Sequence, residues 1–95
     1  MAALVDLDEM KIQLRMLSGD FDAEINTWIT TAHARIVRHI KATDEAIAEM
    51  SEIDRAALKV AEILAVKALF EGDKDAPMTG AVLTVLHDFR DPSMA

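Results

Sequence analysis

Between Phe21 and Ile40 the apolar residues recur at intervals of three and four, which places them along one face of a helix. The stripe consists of Phe21, Ile25, Trp28, Ile29, Ala32, Ile36 and Ile40. Acidic residues begin this segment and basic residues end it, which is the polarity that the helix macrodipole favours. The pattern therefore predicts a helix over residues 21–41, roughly 31 Å long.

The segment before this helix also favours a helix. Asp6 and Glu9 have the spacing of a capping box, and the apolar residues that follow predict a helix over residues 7–17. Gly19 is expected to end it, because glycine tolerates positive φ. Asp20 is then placed to cap the second helix.

The carboxyl half predicts two further helices. Residues 42–52 are interpreted as a connector with at most a short helix, capped by Thr43 or Asp44. A third helix is predicted over residues 53–71, with a cap at Ser51 and a stop at Gly72, and a last short helix follows Thr79. No alternation of period two persists. The chain is therefore predicted to be one all-α domain over residues 1–95, a small bundle of about four helices.

Composition excludes several classes of protein. Seventeen acidic and ten basic residues give a net charge of −7, which argues against a general nucleic-acid binder. The absence of cysteine excludes disulfides and zinc–thiolate sites. The amino terminus carries acids where a secretory signal has bases, and no apolar stretch approaches the about 20 residues of a membrane span. We expect a protein made in the cytoplasm that does not enter a membrane.

The sequence contains no recognisable catalytic or metal-binding motif. His33 and His39 lie about 240° apart around the second helix, so they cannot bind one metal ion from that helix alone. Together with His87 they are interpreted as ordinary, partly exposed histidines. No carboxylate is expected in an apolar setting, and no glycine-rich phosphate loop is present. We therefore predict no enzyme activity, no cofactor and no metal.

Two features of the predicted helices indicate a contact surface. The third helix has a wide apolar stripe that consists of Ile53, Ala57, Val60, Ala61, Leu64, Ala68 and Leu69. Leu58, Val66 and Phe70 lie off this stripe, so the helix is either central to the fold or shared with a neighbouring subunit. These three residues are candidates for the subunit contact. A basic cluster of Arg35, Arg38 and Lys41 ends the second helix, and two interpretations of it are open. It either balances the helix dipole or contacts an acidic surface, such as a second copy of this chain.

The order of several short segments resembles a known family. These segments are VDLDEMK at residues 5–11 with Leu14-Arg15, GDFD at 19–22, an Ile25…Trp28-Ile29 helix, ALKVA at 57–61, and a closing run from Val82 to Pro92. Their order and spacing resemble the head–tail connector (adaptor) proteins of long-tailed bacteriophages and prophages. The resemblance extends over about residues 4–92, although each motif alone is mainly helix chemistry. It departs at residues 76–80, since such proteins often have Leu-Pro before the last helix.

The resemblance implies a structural role in the virion neck. Members of this family form a ring of about a dozen copies under the portal after DNA packaging. The ring extends the DNA channel and bridges the portal to the tail or stopper protein, and DNA passes without sequence-specific binding. An acidic channel wall would repel the phosphate backbone.

The resemblance also suggests docking residues. The carboxyl end matches the part that engages the portal, which makes 90–95 a docking tail. The portal-docking candidates are Phe89, Arg90, Asp91, Pro92, Ser93, Met94 and Ala95. Arg90 is either an ion-pair donor to the portal or a cap of the last helix. Arg35 and Arg38 are expected to face acidic residues of the adjacent copy, for example Asp73 or Asp75.

A second hypothesis is a small acidic helical regulator, such as a phage-encoded inhibitor that imitates DNA. A DNA mimic needs acidic residues in a regular stripe with phosphate-like spacing. Here the acidic residues cluster at predicted helix starts and turns.

Overall fold

A computed structural model describes residues 3–16 and 18–89. Five α-helices follow one another within this part of the chain, and it contains no strand. They are α1 (Leu7–Leu14), α2 (Asp22–Ile40), α3 (Asp44–Ala48), α4 (Glu52–Glu71) and α5 (Gly80–Leu86), and a short 3₁₀ helix follows at His87–Phe89. The prediction of an all-α fold is confirmed, with one more helix than expected.

Local capping fixes most of the helix starts. The Asp6 carboxylate accepts the backbone N–H of Glu9 at 2.8 Å, and the Glu9 carboxylate accepts that of Asp6 at 3.3 Å, which confirms the capping box. The hydroxyls of Thr43, Ser51 and Thr79 accept backbone N–H groups at the starts of α3, α4 and α5. The connector at residues 42–52 therefore contains a genuine short helix, and Thr43 is its cap.

Two predictions about the first turn are wrong. Helix α1 ends at Leu14, because Arg15 adopts a left-handed conformation (φ 59°) and its N–H bonds to the Ile12 carbonyl. The chain therefore leaves the helix before Gly19. Asp20 does not cap α2; Phe21 is at the N-cap position and its side chain makes no capping bond. In the carboxyl half of the chain, Gly72 ends α4 and has a φ of 75°, as predicted.

Helices α2 and α4 form the centre of the fold. Trp28 of α2 lies against Phe70 of α4, with ring centroids 5.9 Å apart at 75°, whereas His33 lies beside Glu62. Since the residue numbers run in opposite directions, the two helices are antiparallel. Helix α1 packs on both, and α5 packs on α4. The core between them is made of Val5, Met10, Ile25, Ile29, Ala32, Ile36, Ile47, Leu58, Ala61, Ala65, Val66, Val82 and Leu86.

Within the described ranges, no helix is both long and apolar enough to cross a membrane. In the turn that precedes α5, the Ala76–Pro77 peptide bond is cis and Pro77 is buried.

Candidate functional site

The surface of α4 that faces away from the core is unusually apolar. We call this surface the outer face of α4. Its exposed residues are Ile53, Ala56 and Val60; Ile63 and Leu64 form its edges and also pack against the core, and Lys67 is its one charged residue. At 100° per residue these six positions fall within a sector of about 100°. Ile53 is 81% exposed and Val60 is 48% exposed. A contiguous apolar strip of this kind is typical of a surface that another molecule covers.

Grooves lie beside the outer face of α4. One groove, of about 270 Å³, is lined by Leu4, Glu52, Arg55, Ala56 and Lys59. The other, of about 390 Å³, separates α4 from the start of α5 and is lined by Leu64, Lys67, Ala68, Glu71, Asp73, Thr79 and Ala81. The two grooves lie toward opposite ends of α4, and each adjoins residues of the outer face.

The structure corrects two of the predicted subunit contacts. Leu58 is 1% exposed and Val66 is fully buried, so both belong to the core of the single chain and are no longer candidates for its surface. Ile53 and Val60, which belong to the predicted main stripe of this helix, are exposed. Phe70, in contrast, keeps 40% of its surface exposed while its ring contacts Trp28.

Three alanines of α4 lie on the side of the helix that faces the core. Ala61, Ala65 and Ala68 are buried and succeed one another at intervals of four and three. Their small side chains allow close approach of neighbouring helices, so they face inward although larger apolar residues lie on the other side. This alanine spacing was the signal in the sequence that could have placed Ile53 and Val60 outside.

The basic cluster at the end of α2 is exposed. Arg35, Arg38 and Lys41 all lie on the surface, and no carboxylate of residues 3–16 or 18–89 forms an ion pair with them. Asp73 and Asp75 are exposed in the turn after α4, where the N–H of Asp75 donates to the carboxylate of Asp73 at 2.8 Å. The structure thus leaves both interpretations of the basic cluster open.

The predicted docking tail lies mostly outside the described residues. Phe89 ends the 3₁₀ helix, is half-buried and packs against the core. Arg90 and the rest of residues 90–95 are not described. Phe89 is therefore the one portal-docking candidate whose surroundings the structure describes.

A buried histidine and glutamate form the most specific polar arrangement in the fold. His33 and Glu62 are each 1% exposed, and Nδ1 of His33 lies 2.6 Å from Oε2 of Glu62. Nε2 of His33 lies 3.2 Å from Oδ1 of Asp44, at the start of α3. The other oxygen of Glu62 accepts the backbone N–H groups of Leu4 at 2.9 Å and Val5 at 3.1 Å.

These contacts correct two sequence interpretations. His33 is not partly exposed, and one carboxylate, Glu62, does lie in an apolar setting. Its position between Ala61 and Ile63 in the most apolar stretch of α4 was the available signal. His39 is half-buried and His87 is exposed, as expected.

The arrangement serves to join segments of the chain. The Glu62 carboxylate receives hydrogen bonds from the segment before α1 and from α2, and these bonds offset the loss of water around a buried charge. A neutral imidazole has a single N–H, so it can donate to one of its two carboxylate neighbours at a time. Among the described residues, no three histidine, cysteine or acidic side chains are placed to hold a metal ion.

Comparison with known proteins adds no family to this picture: no protein-family model, no curated protein and no solved structure matches the chain. The resemblance to head–tail connectors thus rests on the order of the sequence motifs.

Proposed function

We propose that this protein is a structural subunit of a phage neck, a head–tail connector (adaptor) that assembles into a ring. In this role it docks on the portal after DNA packaging, extends the DNA channel and provides the surface to which the tail or stopper attaches. Its function is assembly, without catalysis or a cofactor. The observation that carries the proposal is the apolar outer face of α4.

The outer face is suited to contact with a second copy of the chain. Ile53 and Val60 lie two helical turns apart, so they can be covered together by one partner surface. Covering such apolar side chains removes them from water and favours association. In a ring each subunit presents two different surfaces to its two neighbours, and the outer face of α4 is one of them.

The exposed basic cluster of Arg35, Arg38 and Lys41 is the second contact surface, and its charge complements an acidic surface of the neighbouring copy. It lies on α2, and its partner would be acidic. Glu49, Glu52 and Asp54 surround Ile53 along the chain and are all exposed. A neighbour that brings Arg35 and Arg38 near these acids would combine apolar contact with charge complementarity, which favours correct register.

The net charge of −7 supports passage of DNA rather than binding. An acidic channel wall repels phosphates, so DNA moves past without being held. The acidic residues of the described helices lie chiefly in first turns, for example Asp8 in α1, Asp22 in α2 and Asp54 in α4. This placement serves helix stability and does not form the regular stripe that a DNA mimic needs.

The experiment that tests the proposal measures assembly. The purified protein is studied by light scattering and negative-stain electron microscopy, alone and with the portal protein encoded by the same genome. We expect closed rings with a central hole, alone or on the portal. A protein that stays monomeric under both conditions would contradict the proposal. Tight binding to a host DNA-binding protein instead would favour the acidic regulator.

A matched pair of variants tests whether the outer face of α4 is the contact. Ile53→Asp places a charge in this face and is expected to abolish ring formation. Ile12→Asp is the control, because Ile12 is 68% exposed but belongs to α1. Equal assembly of the two variants would show that the outer face is not the subunit contact.

A further inference from the structure

Residues 3–5, which precede α1, are held to the body of the protein by two backbone hydrogen bonds and by the buried side chain of Val5. Residues 3–5 are not helical, and we call them the strap. The polar contacts that the structure gives it are the backbone N–H groups of Leu4 and Val5, which both donate to Oε1 of Glu62. The side chain of Val5 is buried in the core, and those of Ala3 and Leu4 pack partly against it.

The carboxylate that holds the strap is positioned independently of the strap. Its second oxygen bonds to Nδ1 of His33 on α2, and the same imidazole contacts Asp44 at the start of α3. Three helices therefore fix the orientation of Glu62. Removal of the strap leaves this arrangement in place and deprives only Oε1 of its partners.

The boundary between the strap and the helix that follows is well defined. Asp6 caps α1, and Glu9 completes the capping box. Glu9 also forms an ion pair with Lys59 of α4, which fastens the start of α1 to the body. The first turn of α1 is thus anchored by contacts that do not involve the strap.

From these contacts we propose that the strap detaches from the body as a unit, with Glu62 as its latch and His33 as the residue that orients the latch. The five helices stay folded when the strap leaves. Detachment exposes the site of Val5 and opens the groove that Leu4 lines beside Ala56 of the outer face. The strap thereby controls how much apolar surface α4 exposes. An effect of this exposure on ring assembly rests on the proposed function, whereas detachment of the strap does not.

Amide hydrogen exchange measured by NMR on the wild-type protein tests detachment. We expect the amides of Leu4 and Val5 to exchange faster than those in the middle of α2 and α4, and to do so without added denaturant. Such local opening below the free energy of global unfolding is the signature of a separate unit. Exchange of these two amides at the rate and denaturant dependence of the helix cores would overturn the proposal.

Variants of the latch test its mechanism. In Glu62→Ala we expect the Leu4 and Val5 amides to exchange about 10- to 100-fold faster, the factor that corresponds to a lost buried hydrogen bond. They should still exchange faster than amides in the middle of α2, whose protection also falls because the His33–Glu62 pair is broken. Glu62→Gln retains an oxygen acceptor, so its effect should be smaller. Glu71→Ala is the control, since Glu71 is an exposed acid on the same helix. Unchanged exchange in Glu62→Ala would show that Glu62 is not the latch.

The measurements separate the strap from the assembly hypothesis. If Glu62→Ala does not fold, the wild-type exchange pattern alone decides whether the strap detaches. Exchange is also measured on Ile53→Asp, in which assembly is expected to be blocked. Fast exchange of the strap in that variant supports detachment even where no ring forms, and slow exchange there contradicts it.

Discussion

The Nδ1 atom of His33 lies 2.6 Å from Oε2 of Glu62, and both side chains are almost completely enclosed by the protein. The two residues lie 29 positions apart in the chain, so their contact depends on the antiparallel packing of α2 and α4. The bond joins the two longest helices at one defined register. It also places the second oxygen of Glu62 where the strap donates its N–H groups.

The geometry predicts which nitrogen of His33 carries a proton. An ionised carboxylate can only accept a hydrogen bond, so Nδ1 is the donor when Glu62 is ionised. We expect the ¹⁵N chemical shift of Nδ1 in an imidazole-detected NMR spectrum to be that of a protonated nitrogen. In Glu62→Gln the amide can donate to Nδ1, and the proton is then expected on Nε2, facing Asp44. An unprotonated Nδ1 in the wild-type protein would contradict this assignment.

Removal of the imidazole should destabilise the fold strongly. His33→Ala leaves the buried Glu62 carboxylate without its shortest bond, and breaking such a buried pair costs about 3 kcal/mol of unfolding free energy. The measurement is urea denaturation followed by circular dichroism. His87→Ala is the control, because His87 is exposed, and it should leave the midpoint unchanged. Similar midpoints for the two variants would mean that the buried pair contributes nothing.

Trp28 tests the packing at the other end of the α2–α4 contact. Its ring is only partly buried and meets Phe70 edge to face, so we expect Trp28→Ala to cost about 2–3 kcal/mol, less than a fully buried tryptophan. Trp28→Phe retains an aromatic partner and should recover much of this loss. The measurement is the unfolding free energy of both variants from urea denaturation. A loss under about 1 kcal/mol for Trp28→Ala would show that Trp28 contributes little to the fold and faces solvent or a partner instead.

The carboxyl end provides a functional test. Deletion of residues 90–95 is expected to leave the thermal midpoint unchanged, since it removes no side chain of the described core. The same deletion should abolish binding to the portal protein in a pull-down. Arg90→Ala separates the ion pair from the remainder of the tail. Undiminished portal binding by the truncated protein would contradict the docking role of the tail.

Helix starts could be predicted from the sequence because capping is local. The Asp6–Glu9 box and the caps at Ser51 and Thr79 each involve residues three positions apart, and all three are present in the structure. The prediction that Asp20 caps the second helix was wrong for a related reason. Helix α1 ends early at Arg15, so the turn that follows presents Phe21 at the N-cap position.

The phase of α4 and the buried pair could not be predicted in the same way. Which side of α4 is buried depends on two neighbours, α2 and α5, that approach from different directions. The apolar residues surround much of this helix, so their period alone does not choose among faces. Likewise, the apolar neighbours of Glu62 in the sequence do not show what it contacts, because its partners come from α2 and from the segment before α1.

The small alanines of α4 have a consequence for how this protein can vary. Ala61 and Ala65 are completely enclosed, so a larger side chain at either position would push the helices apart. Ile53, in contrast, touches so little of its own chain that most substitutions there leave the monomer intact. The fold therefore tolerates changes at Ile53 better than changes at Ala61 or Ala65.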